Sequence, residues 1–137
     1  MERTNLPLAG SPNYKGAESL LSGSFTIGSS GAISAQTGAA ASGFTVTQDT
    51  TSSAVGRYLV TFYKTFNAIK TKMVSMTGPA AGTAFPTTTG SHPQFRNYTG
   101  TAANTLTASV QFTRSDTQAD ADAASGTVCH LFFQLQN

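Results

Sequence analysis

The chain has 137 residues, of which 39% are hydrophobic and only 10% charged, with a formal net charge of +2, one cysteine and no tryptophan. That length suits one domain that buries its own core, and a lone cysteine excludes an internal disulfide. There is no dense Lys/Arg run and no aromatic–glycine signature, so direct nucleic-acid binding is not expected.

Ordinary domains carry about a quarter charged residues. Here Ser, Thr, Ala and 13 Gly take their place. Thr fits outward positions of a strand because its branched Cβ suits a pleated surface. Low charge also suits surfaces that pack against a neighbouring copy. No run approaches the roughly 20 apolar residues of a membrane span, so no membrane partner is expected. The first five residues lack the apolar core of a signal peptide, which points to synthesis in a cytosol.

In chain order, residues 1–19 read as an extended arm. Pro7, Gly10, Pro12 and Gly16 interrupt regular structure, and Leu6, Leu8 and Tyr14 are apolar anchors without a period. Residues 20–137 read as one β-sandwich domain. Phe25 and Ile27 alternate with Ser24 and Thr26. Gly28 to Gly31 is a turn, and Ile33 and Ala35 form the partner strand of a hairpin. Phe44 and Val46 alternate with Thr45 and Thr47. The stretch from Gly56 to Tyr63 carries large or β-branched residues on both faces, which predicts a central strand covered on each side.

The strand from Ile69 to Met76 alternates imperfectly, and a bulge near Met73 would reconcile it. Lys70 and Lys72 would then share one face. A long irregular region runs from Gly78 to about Pro93, and a short strand spans Phe95 to Thr99. Next, Leu106, Ala108, Val110 and Phe112 are expected inward, with Thr105, Thr107, Ser109, Gln111 and Thr113 outward. Residues 115–125 form a polar loop. The last strand places Cys129, Leu131, Phe133 and Leu135 inward and His130, Phe132, Gln134 and Gln136 outward. Eight strands with turn-rich spacing predict an all-β fold, a single antiparallel β-sandwich or jelly-roll-like domain behind an N-terminal arm. Tyr63 and Phe132, aromatic and outward, are the candidate oligomer contacts.

Reactive chemistry is hard to assemble. Cys129 and His130 are adjacent in a strand and point to opposite faces, so they cannot share a metal. No Gly-x-Ser-x-Gly elbow occurs in a strand-to-helix context, and paired carboxylates are equally hard to find. The glycine-rich stretch after Gly78 lacks the lysine and helix of a phosphate loop. No catalytic residue, metal or cofactor is therefore expected, and the protein reads as a non-enzyme. Asp116, Asp120 and Asp122 offer a calcium-dependent alternative, although the loop lacks the glycine and distal glutamate of a calcium hand. His92, Phe95 and Tyr98 offer a glycan-binding one.

Three runs carry a resemblance: Gly23 to Ala35 (GSFTIGSSGAISA), Gly43 to Thr47 (GFTVT) and Gly56 to Phe62 (GRYLVTF). Together they resemble the small decoration, or cement, proteins of tailed-bacteriophage heads. In that group a polar arm leads into a glycine-turn hairpin, then a Gly-Phe-x-Val strand and a Gly-x-Tyr-x-Val-x-Phe strand. The likeness covers residues 20–76 in motif and the whole chain in size and strand order. It implies a structural virion protein on the outer capsid surface, made in the host cytoplasm. Such a protein binds the major capsid protein and bridges its subunits, as a homo-oligomer, a trimer before a dimer. Exposure rather than motif points to Leu6, Pro7, Leu8 and Tyr14 as capsid-binding arm residues. The alternative is a receptor- or glycan-binding module of a head or tail fibre.

Overall fold

Alternation of apolar and hydroxylic residues sets the layers of this molecule, because successive strand side chains point to opposite faces. The computed structural model describes residues 18–37, 42–51, 55–64, 66–78, 89–96 and 107–136. These contain eight strands: β1 (Glu18–Ile27), β2 (Ile33–Gln36), β3 (Phe44–Gln48), β4 (Arg57–Phe62), β5 (Ala68–Thr77), β6 (Gly90–Arg96), β7 (Thr107–Arg114) and β8 (Val128–Gln136). They form two four-stranded sheets, a front sheet ordered β2-β1-β8-β5 and a back sheet ordered β3-β4-β7-β6. Every pairing is antiparallel. The fold is the all-β sandwich that the patterning predicts.

The core lies between the sheets. Phe25 and Ile27 of β1 and Cys129, Leu131, Phe133 and Leu135 of β8 face Phe44, Val46, Tyr58, Val60, Phe62, Val110 and Phe112 of the back sheet. The rings of Phe44 and Phe62 stand edge-on to Phe133, with centroids 5.5 and 4.9 Å away. Farther along, Tyr58 packs between Phe25 and Phe112, and its hydroxyl donates to the Gly31 carbonyl at 2.7 Å. Burying each such side chain contributes roughly 1.5–3 kcal/mol.

Six expectations need correction. β4 is central within its sheet, but only Tyr58, Val60 and Phe62 are buried, while Thr61 is exposed and Leu59 half-buried. A two-layer sandwich covers one face of each sheet, so the large outward residues of β4 meet no third layer. In β5 the register shifts between Ile69 and Thr71, not at Met73. That placement of the bulge turns Ile69, Val74 and Met76 toward the core and leaves Met73 58% exposed. It also separates the two lysines, for Lys70 pairs with Glu18 while the Lys72 ammonium sits 5.2 Å from the Phe95 ring centroid.

β6 begins at Gly90, so His92 and Pro93 belong to a strand rather than to the long loop, and residues 97–99 lie outside the described residues. Pro93 is tolerated because β6 is an edge strand with pairing on one side only. In β7, Ser109, Gln111 and Thr113 are buried despite pointing away from the core. Finally, β1 starts at Glu18, which pairs with Gln136, so the sheet reaches two residues into the stretch assigned to the arm.

What covers the outward side of β7 is a clasp. The Ala121 N–H donates to the Phe112 carbonyl at 3.1 Å, and the Gly90 N–H donates to the Asp122 carbonyl at 2.7 Å. The Asp122 carboxylate accepts the Gly56 N–H at 2.8 Å. Loop 119–123 thereby ties β4, β6 and β7 together at one end of the back sheet. Two glycines permit it: a Cβ on Gly56, whose φ is +66°, would lie 2.2 Å from the Ala121 carbonyl oxygen, and one on Gly90 would lie 2.4 Å from the same atom. Arg57 and Arg96, in register with Gln111 and Ser109, extend the cover across the back face.

Candidate interaction surface

The outer face of the front sheet has no such cover among the described residues. Register places its outward residues in rows across β1, β8 and β5: Leu20–Gln134–Thr71, Ser22–Phe132–Met73 and Ser24–His130–Ser75. Leu20 is 61% and Met73 58% exposed, and Phe132 is half-buried between its neighbours. The two lower rows line a shallow groove of about 540 Å³, with Ser22, Gly23 and Ser24 on one side and Met73, Val74 and Ser75 on the other. Its walls differ in height because the β1 side carries small residues and the β5 side carries Met73.

No Asp, Glu, Lys or Arg lines the groove. At one end of the face, Glu18 accepts a hydrogen bond from the Gln134 amide and pairs with Lys70 at 3.2 Å. The Gln134 hydrogen bond, and then Lys70, holds the Glu18 carboxyl below the usual carboxylate range. At the other end the Thr77 hydroxyl lies 2.9 Å from His130 Nε2. The rest of the surface is also largely self-neutralised. Asp49 pairs with Arg57, Asp120 with Arg96 and Asp116 with Arg114. Among the described residues, only Lys64 and Lys72 are cations without a carboxylate partner.

The expected site residues fall as follows. Leu6, Pro7, Leu8 and Tyr14 lie outside the described residues. Phe132 sits at the centre of the bare face. Tyr63 is 55% exposed and follows β4, so it belongs to the opposite side of the sandwich. The two aromatics therefore lie on opposite faces and cannot share one face-to-face contact. Sequence reasoning misses two contributors, Leu20 and Met73. Leu20 is legible, since it continues the outward alternation of Ser22 and Ser24. Met73 is hidden when the bulge is placed at Met73 itself.

The other chemistry is dispersed. Asp116, Asp120 and Asp122 each engage a different partner, and no group of three His, Cys, Asp or Glu side chains that could hold a metal occurs among the described residues. His92 is an exposed β6 residue beside Ser91, and Tyr98 lies outside the described residues. Phe95 packs on Phe133 at 5.7 Å beneath Lys72, so its ring is committed to the edge of the core rather than to a ligand. Burial pushes the Cys129 thiol up to about 12, which leaves it a small core hydrophobe. No helix among the described residues is long and apolar enough to cross a membrane. No family model, curated protein or solved structure matches this chain.

Proposed function

We propose that this protein is a structural virion component that binds the outer surface of a phage capsid and stabilises it by bridging neighbouring major capsid protein subunits. The observation that carries the reading is the front face, which among the described residues is an uncovered, largely apolar and hydroxylic surface with one ion pair at its end. Such a face gains most by being buried against protein. The decoration-protein resemblance of residues 20–76 supports the same reading, as does the internal pairing of surface charge, which leaves little field to steer a nucleic acid or a charged substrate.

The mechanism is additive. Each copy contributes interface area across a seam of the shell, and repetition on a symmetric lattice multiplies a modest contact through high effective concentration. Co-sedimentation of the purified protein with expanded shells of its own phage tests this. Binding, with a rise in the temperature at which the shells rupture, is expected. Failure to bind at saturating protein rejects the reading. A glycan-binding fibre module is the competing reading, and hits on a glycan array without shell binding would favour it.

A further inference from the structure

We infer that the bare face of the front sheet is covered by the same face of a second copy of this chain, about a two-fold axis running nearly along β8. A face covered by itself must be self-complementary, with each residue facing the counterpart of another and the reverse. Rotation about an axis along β8 keeps the height of a residue along the strand and exchanges β1 with β5. Two pairs follow from the observed register. Met73, large and exposed, comes opposite the small Ser22 of the second copy. Leu20 comes opposite Thr71. The Glu18–Lys70 ion pair, which spans β8 at one end of the face, meets its counterpart with the positions of the two signs exchanged.

In both pairs large meets small. The groove beside Ser22, Gly23 and Ser24 is the space a Met73 side chain requires, and Phe132 sits on the axis against its own counterpart. An axis along the face-to-face seam also keeps the strands of the two sheets near the roughly 30° alignment that packed sheets adopt. Strands of about nine residues at roughly 3.3 Å per residue, about 4.8 Å apart, give a face of roughly 500 Å² per copy. That is close to 1,000 Å² in total, the lower limit for a specific interface, so the dimer is reversible rather than obligate. The inference takes from the preceding reading only that adhesion is the protein's work; because one front face serves both, self-association and shell binding are alternative uses of it, and the dimer stands or falls without a shell.

The test is sedimentation velocity on the full chain over roughly 1–200 µM, which brackets a contact of this size. A reversible monomer–dimer equilibrium is expected. Met73→Glu, an exposed position whose folding is checked by thermal melt, should shift the midpoint at least tenfold toward monomer. Glu18→Lys should weaken the dimer, and Glu18→Lys with Lys70→Glu should restore it. Under mild oxidation Phe132→Cys should cross-link to itself. Ser22→Cys with Met73→Cys should cross-link only between copies, because two strand spacings across β8 separate these positions by about 9–10 Å within one chain, beyond disulfide reach. A folded monomer throughout that range, a trimer, or a dimer indifferent to Met73→Glu would each overturn the inference. A monomer that nonetheless coats shells sinks it and leaves the capsid reading intact, whereas a dimer that ignores shells does the reverse.

Discussion

The two outward faces of this sandwich begin from the same kind of sequence and end differently. Both alternate hydroxyl and amide side chains with core residues. On the back sheet, loop 119–123 and two arginines fold over the outward side of β7, so Gln111 and Thr113 are as buried as the core. On the front sheet nothing among the described residues returns to cover Ser22, Phe132 and Met73. Among the described residues, the back face is used to hold the domain together and the front face is not. An apolar face that the described residues leave uncovered, opposite one that they cover, is where an interaction is to be sought.

The comparison is most strongly tested on a single strand. Phe133 and Phe132 are neighbours in β8, but Phe133 contacts three other rings and Phe132 lies on the bare face. Phe133→Ala should cost about 3–5 kcal/mol in denaturant unfolding, and Phe132→Ala of the order of 1 kcal/mol in the monomer. Equal losses would mean that the front face is not bare. The clasp comes next. Gly56→Ala forces a left-handed φ on alanine and drives Cβ into the Ala121 carbonyl, and should cost about 3 kcal/mol. An unchanged stability would show that loop 119–123 does not hold the back sheet.

Smaller effects sharpen the picture. The Gln36 amide accepts from the Val46 N–H at 3.1 Å and donates to the Val46 carbonyl at 3.3 Å, closing the exposed edge of β3 as a strand would. Gln36→Leu should cost about 1–2 kcal/mol and raise aggregation, read by light scattering during a thermal ramp.

Acid should weaken the domain in a definite direction. Thr51, through its backbone and then its hydroxyl, and next Arg57 hold the Asp49 carboxyl below its ordinary value, and Arg114 does the same for Asp116. Carboxyls depressed in the folded state add stability that is fully present above the unfolded value, about 3.9, and is lost as pH falls through the folded one. Unfolding free energy should therefore decline below about pH 4, and Asp49→Asn should flatten that decline. The least effect is expected at Thr113, whose buried hydroxyl finds no hydrogen-bond partner among the described residues. Thr113→Val should leave stability unchanged or raise it by up to about 1 kcal/mol.

Much of the fold is legible in the order of the residues. The inward set of β8, the hairpin around Gly28 to Gly31 and the partition into eight strands follow from a period of two and from turn residues, which are local signals. The bulge in β5 is not legible in that way, because Ile69, Met73, Val74 and Met76 fit two registers equally well. Only the pairing of β5 with β8 selects the shift at Lys70. The candidate face is half legible: Phe132 is visible from alternation, while Tyr63 looks equivalent until the sheets place it on the other side.

Sequence alone determined the class of fold and the identity of most core residues, since both depend on which neighbours alternate along one strand. Tertiary structure decided which outward residues stay outward. That outcome depends on where a distant loop returns, and two glycines, Gly56 and Gly90, far apart in the chain, make room for the return at Ala121. Which face the described residues cover is a property of how the strands are joined in space, and no period within a strand encodes it.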